Sequence, residues 1–215
     1  MCPTDQPNAL LLVSSHCPHC HMLETLLQER LSNGVLGELS VINIEQSPDV
    51  AQKKGVRSVP WLQLGNFLFD EALTPIDLDR WIEHAKEGDG QANFIAYLLE
   101  RGKLVKAIEW IDQGNTTLEA VVPLLADTDA KINVRVGVGA ILEHFEDTQS
   151  IRAIISDLIS LLKNENPVVR TDACHYLSLT HSRDAIEPLR AMLEDEDQQV
   201  REVASESIEE LSKYP

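Results

Sequence analysis

The chain opens its regular patterning with a continuous apolar run, Ala9 to Val13, closed by Ser14 and Ser15. Five residues are too few for a buried helix, and a run without alternation predicts a strand covered on both faces. From His19 to about Leu31 the apolar positions Met22, Leu23, Leu26, Leu27 and Leu31 return at helical spacing, until "SNG" at 32–34 supplies a stop. Pro18 falls in the first turn of that helix, where its missing N–H costs little. Residues 38–47 alternate through Leu39, Val41, Ile42 and Ile44 and predict a second strand, after which Ser47 and Pro48 offer an N-cap and a first helical position for a short helix ended by Gly55. "WLQL" and "FLFD" flank Gly65-Asn66, a two-residue hairpin signal. A helix follows Thr74 with Ile76, Leu78, Trp81 and Ile82 on one face. The predicted order is β-α-β-α-β-β-α, and "CPHC" stands where the first strand hands over to the first helix.

Beyond Gln91 the pattern becomes helical throughout, in segments separated by short Asp, Asn, Gly and Thr turns. "LLKNENPVVR" (161–170) aligns without a gap on "MLEDEDQQVR" (192–201), a separation of 31. Leu124-Leu125 and Val134-Arg135 fit the same scheme with a longer turn, and Val134 lies 35 positions before Val169. Periods of this size mark stacked helical pairs. Ala140, Ala173 and Ala204 allow close helix packing, and the leucine pairs, Trp110, Tyr176, Leu177 and Cys174 are expected in the core. The turns "ADTD" and "EDEDQQ" read as solvated caps, since neither has the ligand spacing of a calcium loop. His175 and His181 read as surface or turn residues. The stretch resembles HEAT repeats, including the HEAT-like repeats of phycobilisome lyases; the resemblance implies an all-α solenoid that presents a surface to another protein.

The bulk composition narrows the partners. With 18 basic against 35 acidic residues the formal net charge is -17, which repels phosphate backbones and anionic headgroups, so neither nucleic acid nor a membrane surface is expected as a partner. No apolar run reaches the length of a membrane span, and "MCPTDQPN" has no basic segment leading into a hydrophobic one; the expectation is a cytoplasmic protein. Four cysteines in 215 residues do not make a disulfide framework. Cys2 and Cys174 have no near neighbour, whereas Cys17 and Cys20 form a local pair, the signature of redox or metal chemistry in such a chain.

A thiol at a helix N-terminus meets unpaired N–H groups and the positive end of the helix dipole, and both favour the thiolate. Cys17 occupies that place and Cys20 lies a turn inside. Cys17 is therefore the candidate nucleophile and Cys20 the resolving thiol, with Pro18 and His19 tuning the thiolate. His19, helped by His16 or His21, would place positive charge near Cys17 and lower its pKa. The alternative is a zinc or copper(I) site built from Cys17, Cys20 and a histidine, although structural zinc sites usually draw on two separated clusters and the chain has one.

"CPHC" after an apolar strand, followed by "GVRSVPW", resembles the thioredoxin superfamily, and "CPHC" itself is similar to the motif of the DsbA-type disulfide oxidants. The resemblance implies a cis-proline at Pro60, with Val59 offering backbone hydrogen bonds to an extended substrate. It also marks departures: Leu11 stands where thioredoxin and DsbA hold a buried carboxylate six positions before the first cysteine, and "FDEALTP" lacks the glycine and aspartate pairs with which glutaredoxins hold glutathione. The expectation is thus an α/β thioredoxin-like redox domain at 1–88, a helical linker or cap at 89–115 and an all-α HEAT-like solenoid at 116–215. The expected activity is thiol-disulfide exchange on a protein or small thiol, with no cofactor beyond the Cys17–Cys20 pair, no metal, and a protein partner docked on the repeats. The alternative is a non-catalytic interaction scaffold in which the cysteine pair is idle.

Overall fold

A computed structural model describes residues 6–213, and the chain divides between Gly90 and Gln91 into two compact units. Cys2 lies outside the described residues.

Among its described residues the first unit is a four-stranded sheet with three helices. Strands β1 (Ala9–Val13), β2 (Leu39–Asn43), β3 (Trp61–Leu64) and β4 (Phe67–Phe69) are ordered β2-β1-β3-β4, with α1 (Pro18–Ser32), α2 (Pro48–Lys53) and α3 (Pro75–Glu87) between or after them. β1 runs parallel to β2 and antiparallel to β3, and β3 and β4 form the hairpin whose first turn residue, Gly65, has φ +54°. Successive strand residues point to opposite faces, so the complete burial of both Leu11 and Leu12 means that β1 is covered on each side. This is the structural content of the unbroken apolar run.

α1 packs on β1 and β2 through Cys20, Leu23 and Leu27, and α3 packs on β3. Phe67 and Phe69, on one face of β4, meet Trp81 of α3 at ring-centroid distances of 5.1 and 5.6 Å. Thr74 caps α3, its hydroxyl accepting from the Asp77 N–H at 3.1 Å. Three sequence expectations need correction here. Ile76 is 80% exposed, so the buried face of α3 starts only at Leu78 and continues through Trp81 and Ile82. Met22 is exposed beside buried Leu23, so the inward stripe of α1 is narrower than the apolar spacing suggested. Ser47 stands at the N-cap position of α2 without making a side-chain cap.

The second unit is helical among its described residues: α4 (Gln91–Glu100), α5 (Leu104–Asp112), α6 (Val122–Ala126), α7 (Ile132–His144), α8 (Gln149–Ala153), α9 (Ile155–Leu161), α10 (Pro167–Ser178), α11 (Ile186–Met192) and α12 (Gln198–Leu211). α4 and α5, from the stretch expected as linker or cap, both pack on α7 and belong to this unit. Phe94 of α4 and Trp110 of α5 meet edge-on at 4.8 Å and join these two helices to each other. The paired helices follow as α6 with α7, α8–α9 with α10, and α11 with α12. Cys174, Leu177, Tyr176 and Trp110 are buried as expected, but Leu193 is 37% exposed, so the leucine of the last apolar pair, Met192-Leu193, is not core.

The recurring Val-Arg pair has a geometric cause. Val169 and Val200 are buried, while the following arginine turns back on the preceding turn: Arg170 donates to the carbonyl oxygens of Asn164 and Glu165, and Arg201 to those of Asp195 and Glu196. Arg170 also reaches into the next repeat, where its Nε and Nη2 bind both carboxylate oxygens of Asp195 at 2.9 and 2.8 Å. The side chains of this pair are 9% and 8% exposed, so "EDEDQQ" is only in part the solvated cap that its composition implied. One acidic residue of that turn is an internal bracket between repeats.

Candidate functional site around Cys17 and Cys20

The site begins with the end of β1. Only Ser14, Ser15 and His16 separate Val13 from Cys17, and the Cys17 N–H closes this turn on the Ser14 carbonyl oxygen at 3.4 Å. Cys17 is the N-cap of α1, with φ -100° and ψ 106°, and Pro18 takes the first helical position. The Cys20 N–H points at Cys17 Sγ from 3.1 Å, the place of a side-chain oxygen in an ordinary N-cap. A backbone donor and the positive end of a fifteen-residue helix therefore face one sulfur.

The sulfurs of Cys17 and Cys20 sit against each other, their Cα atoms 5.3 Å apart, inside the range a disulfide spans. The two thiols differ in access: Cys17 is half-buried and Cys20 is 2% exposed. Across the sheet end, Cys17 Sγ lies 3.9 Å from the carbonyl oxygen of Val59. The Val59–Pro60 peptide is cis, Val59 is half-buried and Pro60 is buried. Cys17, Cys20 and Val59 are thus brought together from segments 42 residues apart. His16, Pro18, His19 and His21 are exposed around the helix start. Leu11 is fully buried in β1, so the apolar residue at that position belongs to the core beneath the site.

Periodicity offered no sign of a polar network beside the pair. The Glu45 carboxylate accepts from the Ser15 hydroxyl at 2.6 Å and from the Ser15 N–H at 3.2 Å. Asn43 donates to the Ser15 hydroxyl at 2.9 Å, and its own carbonyl accepts from the Glu45 N–H at 2.8 Å. The Ser15 hydroxyl, together with its N–H and the nearby His16, holds the Glu45 carboxyl below the usual carboxylate range. The sequence signal for these residues was slight: Ser15 just follows the first predicted strand and Asn43 and Glu45 fall in the second, a relation that becomes informative once the strands are known to be parallel neighbours.

The remaining described cysteine, which is unpaired, is a counterexample. Cys174 has no exposure, and burial pushes its thiol up to about 12, so it packs as a small apolar residue. Among the described residues, no three His, Cys, Asp or Glu side chains are grouped to hold a metal ion, and no helix is long and apolar enough to cross a membrane.

A search of curated proteins finds no match to this chain. Residues 118–209, which hold most of the paired helices of the second unit, match the family model for HEAT repeats; HEAT repeats commonly mediate protein–protein contacts through the surfaces their stacking creates.

Proposed function

We propose that the protein is a thiol-disulfide oxidoreductase: a thioredoxin-like N-terminal domain carrying a CPHC redox pair, followed by HEAT-like repeats that engage the protein it serves. The observation that carries this reading is the asymmetry of the pair. The accessible sulfur is the one at the helix N-terminus, 3.9 Å from the Val59 carbonyl oxygen, and its partner is buried one turn inside.

In the reducing direction the Cys17 thiolate attacks one sulfur of a substrate disulfide. A Cys17–substrate mixed disulfide forms, and the other substrate sulfur leaves as a thiolate that takes a proton from water. Cys20, deprotonated, then attacks Cys17 Sγ; the mixed disulfide breaks, the Cys17–Cys20 disulfide forms, and the second substrate thiolate departs. Two electrons pass from the protein dithiol to the substrate. The reverse sequence oxidises a substrate dithiol. The Val59 carbonyl and N–H, at the edge of the site, suit an extended peptide beside Cys17. Stabilising the Cys17 thiolate at the helix start stabilises the dithiol form and makes the disulfide a stronger oxidant.

The test is equilibration in a series of glutathione redox buffers, followed by acid quench, alkylation and mass mapping of each cysteine. Cys17 and Cys20 should convert together between dithiol and disulfide, and the midpoint assigns oxidant or reductase. Cys17→Ser should abolish exchange with a disulfide substrate, and Cys20→Ser should accumulate the mixed disulfide. A pair that never cycles would remove the enzymatic role and leave a scaffold whose function resides in the HEAT repeats.

A further inference from the structure

β1 and β2 pair in parallel with Val13 opposite Asn43, and the ladder continues one step further through the Ile44 N–H on the Val13 carbonyl oxygen at 2.9 Å. Continuing this register sets Ser15 opposite Glu45. Where the backbone ladder ends, side chains take over: Glu45 grips Ser15 through both carboxylate oxygens, and Asn43 holds the Ser15 hydroxyl and the Glu45 N–H. The gripped residue is the middle of the three-residue link between β1 and the Cys17 N-cap.

We propose that Glu45 is a positioning residue for Cys17, acting through Ser15 to hold the link that sets the N-cap geometry of the nucleophile. This rests on the redox reading for its functional meaning, but its physical content concerns the Cys17 thiol itself. The Cys20 N–H stabilises the Cys17 thiolate only while the cap is formed, and the cap hangs on a link with few other anchors: the Cys17 N–H on Ser14, and the Ser15 bonds. The titratable or cationic side chains on the segments meeting at Cys17 are His16, His19 and His21 on its own segment, Glu45 across from Ser15, and Arg57 just before Val59.

The sign of the effect separates positioning from simple charge. As a bare negative charge, Glu45 disfavours a nearby thiolate, so its removal would lower the Cys17 pKa. As an anchor it favours the thiolate, so its removal raises that pKa. Ser15→Ala removes the hydroxyl part of the anchor, its bonds to Glu45 and Asn43, and keeps the Ser15 N–H on Glu45, while leaving the charges of Glu45 and His16 in place.

The experiment measures the pH profile of iodoacetamide alkylation at Cys17 in the fully reduced protein, with circular dichroism confirming the fold. Ser15→Ala and Glu45→Ala should each raise the apparent pKa, slowing alkylation at pH 6 by about threefold to tenfold, the size expected for losing one or two partly exposed hydrogen bonds. The double variant should do no more than the stronger single change, because both remove one connection. Ser15→Thr, which keeps the hydroxyl, should restore the profile. An unchanged or lowered pKa in either alanine variant, or additive effects, overturns the proposal. A wild-type pair that cycles in redox buffer while the variants leave the profile unmoved sinks the positioning role alone; a profile that shifts in a protein whose pair never cycles supports it and sinks the redox reading.

Discussion

Cys17 and Arg170 each stand near the start of a helix, one at the N-cap and one in the first turn, just after a tight link, and the two units treat them differently. Arg170 is closed in: two contacts to Asp195, two to backbone carbonyls of its own turn, and a side chain 9% exposed. Cys17 is half-open, and its sulfur takes one backbone N–H, lies near one carbonyl and sits against one other sulfur. The backbone half of the first arrangement recurs with the repeat, since half-buried Arg201 likewise donates to two carbonyl oxygens of its own preceding turn, and these donors go into joining turns and helices. The second occurs once among the described residues, on exposed chain, with a polar network spent on holding it. A polar residue that repeats and is enclosed is architecture; one that is singular, accessible and externally braced is where chemistry is sought.

The largest stability change should come from opening the enclosed site. Arg170→Ala strips Asp195 of its partner and frees two carbonyls, and because the pair lies close to the surface the cost should be about 2 kcal/mol rather than the ~3 to 5 of a deep pair. Urea unfolding followed in the second unit checks this, and Cys17 alkylation in the same variant should be unaltered; a shift there would break the contrast between the units. The same bracket carries a pH dependence. Hydrogen bonding to Arg170 depresses the Asp195 carboxyl below its ordinary value, so the bracket's stabilisation is present above the unfolded carboxylate pKa of about 4 and is lost as pH falls through the lower folded value. Asp195→Asn should therefore flatten the acid limb of the second unit's stability profile.

A smaller effect is expected at Gly137 in α7, where an added methyl group would sit 2.5 Å from Leu99 Cδ2 in the α4 contact. Gly137→Ala gains helix propensity but forces a buried leucine to shift, for a net loss of about 1 kcal/mol read by thermal unfolding. The smallest belongs to Ile76→Ser, which changes an 80% exposed side chain and should alter the first unit's stability by less than about 0.5 kcal/mol. A larger loss would mean that Ile76 is covered in solution.

Much of this molecule was legible along the chain. The run Ala9–Val13, the Gly65-Asn66 turn and the 31-residue repeat each carry their meaning locally, because strand burial, hairpin chirality and helix stacking impose short-range patterns. The misreadings arose where a pattern lacked a boundary. Ile76 continues the apolar run of α3, and nothing in its neighbours says that the packed face begins only at Leu78. Leu193 copies Leu162 in sequence, yet one is exposed and the other buried. Asp195 has the composition of a solvated turn and became a buried partner only when the arginine of the preceding repeat reached it.

The cysteine pair divides along the same line. The sequence by itself determined that two thiols share the start of a helix after a buried strand, because a Cys-X-X-Cys spacing and helical periodicity are local properties. It determined too that the second half is built of stacked helical pairs. Only the tertiary structure decided which sulfur is accessible, brought the Val59 carbonyl beside it, and set Glu45 against Ser15. Those relations depend on how parallel strands register and where the sheet ends, quantities that emerge when segments 30 and 42 residues apart are folded together.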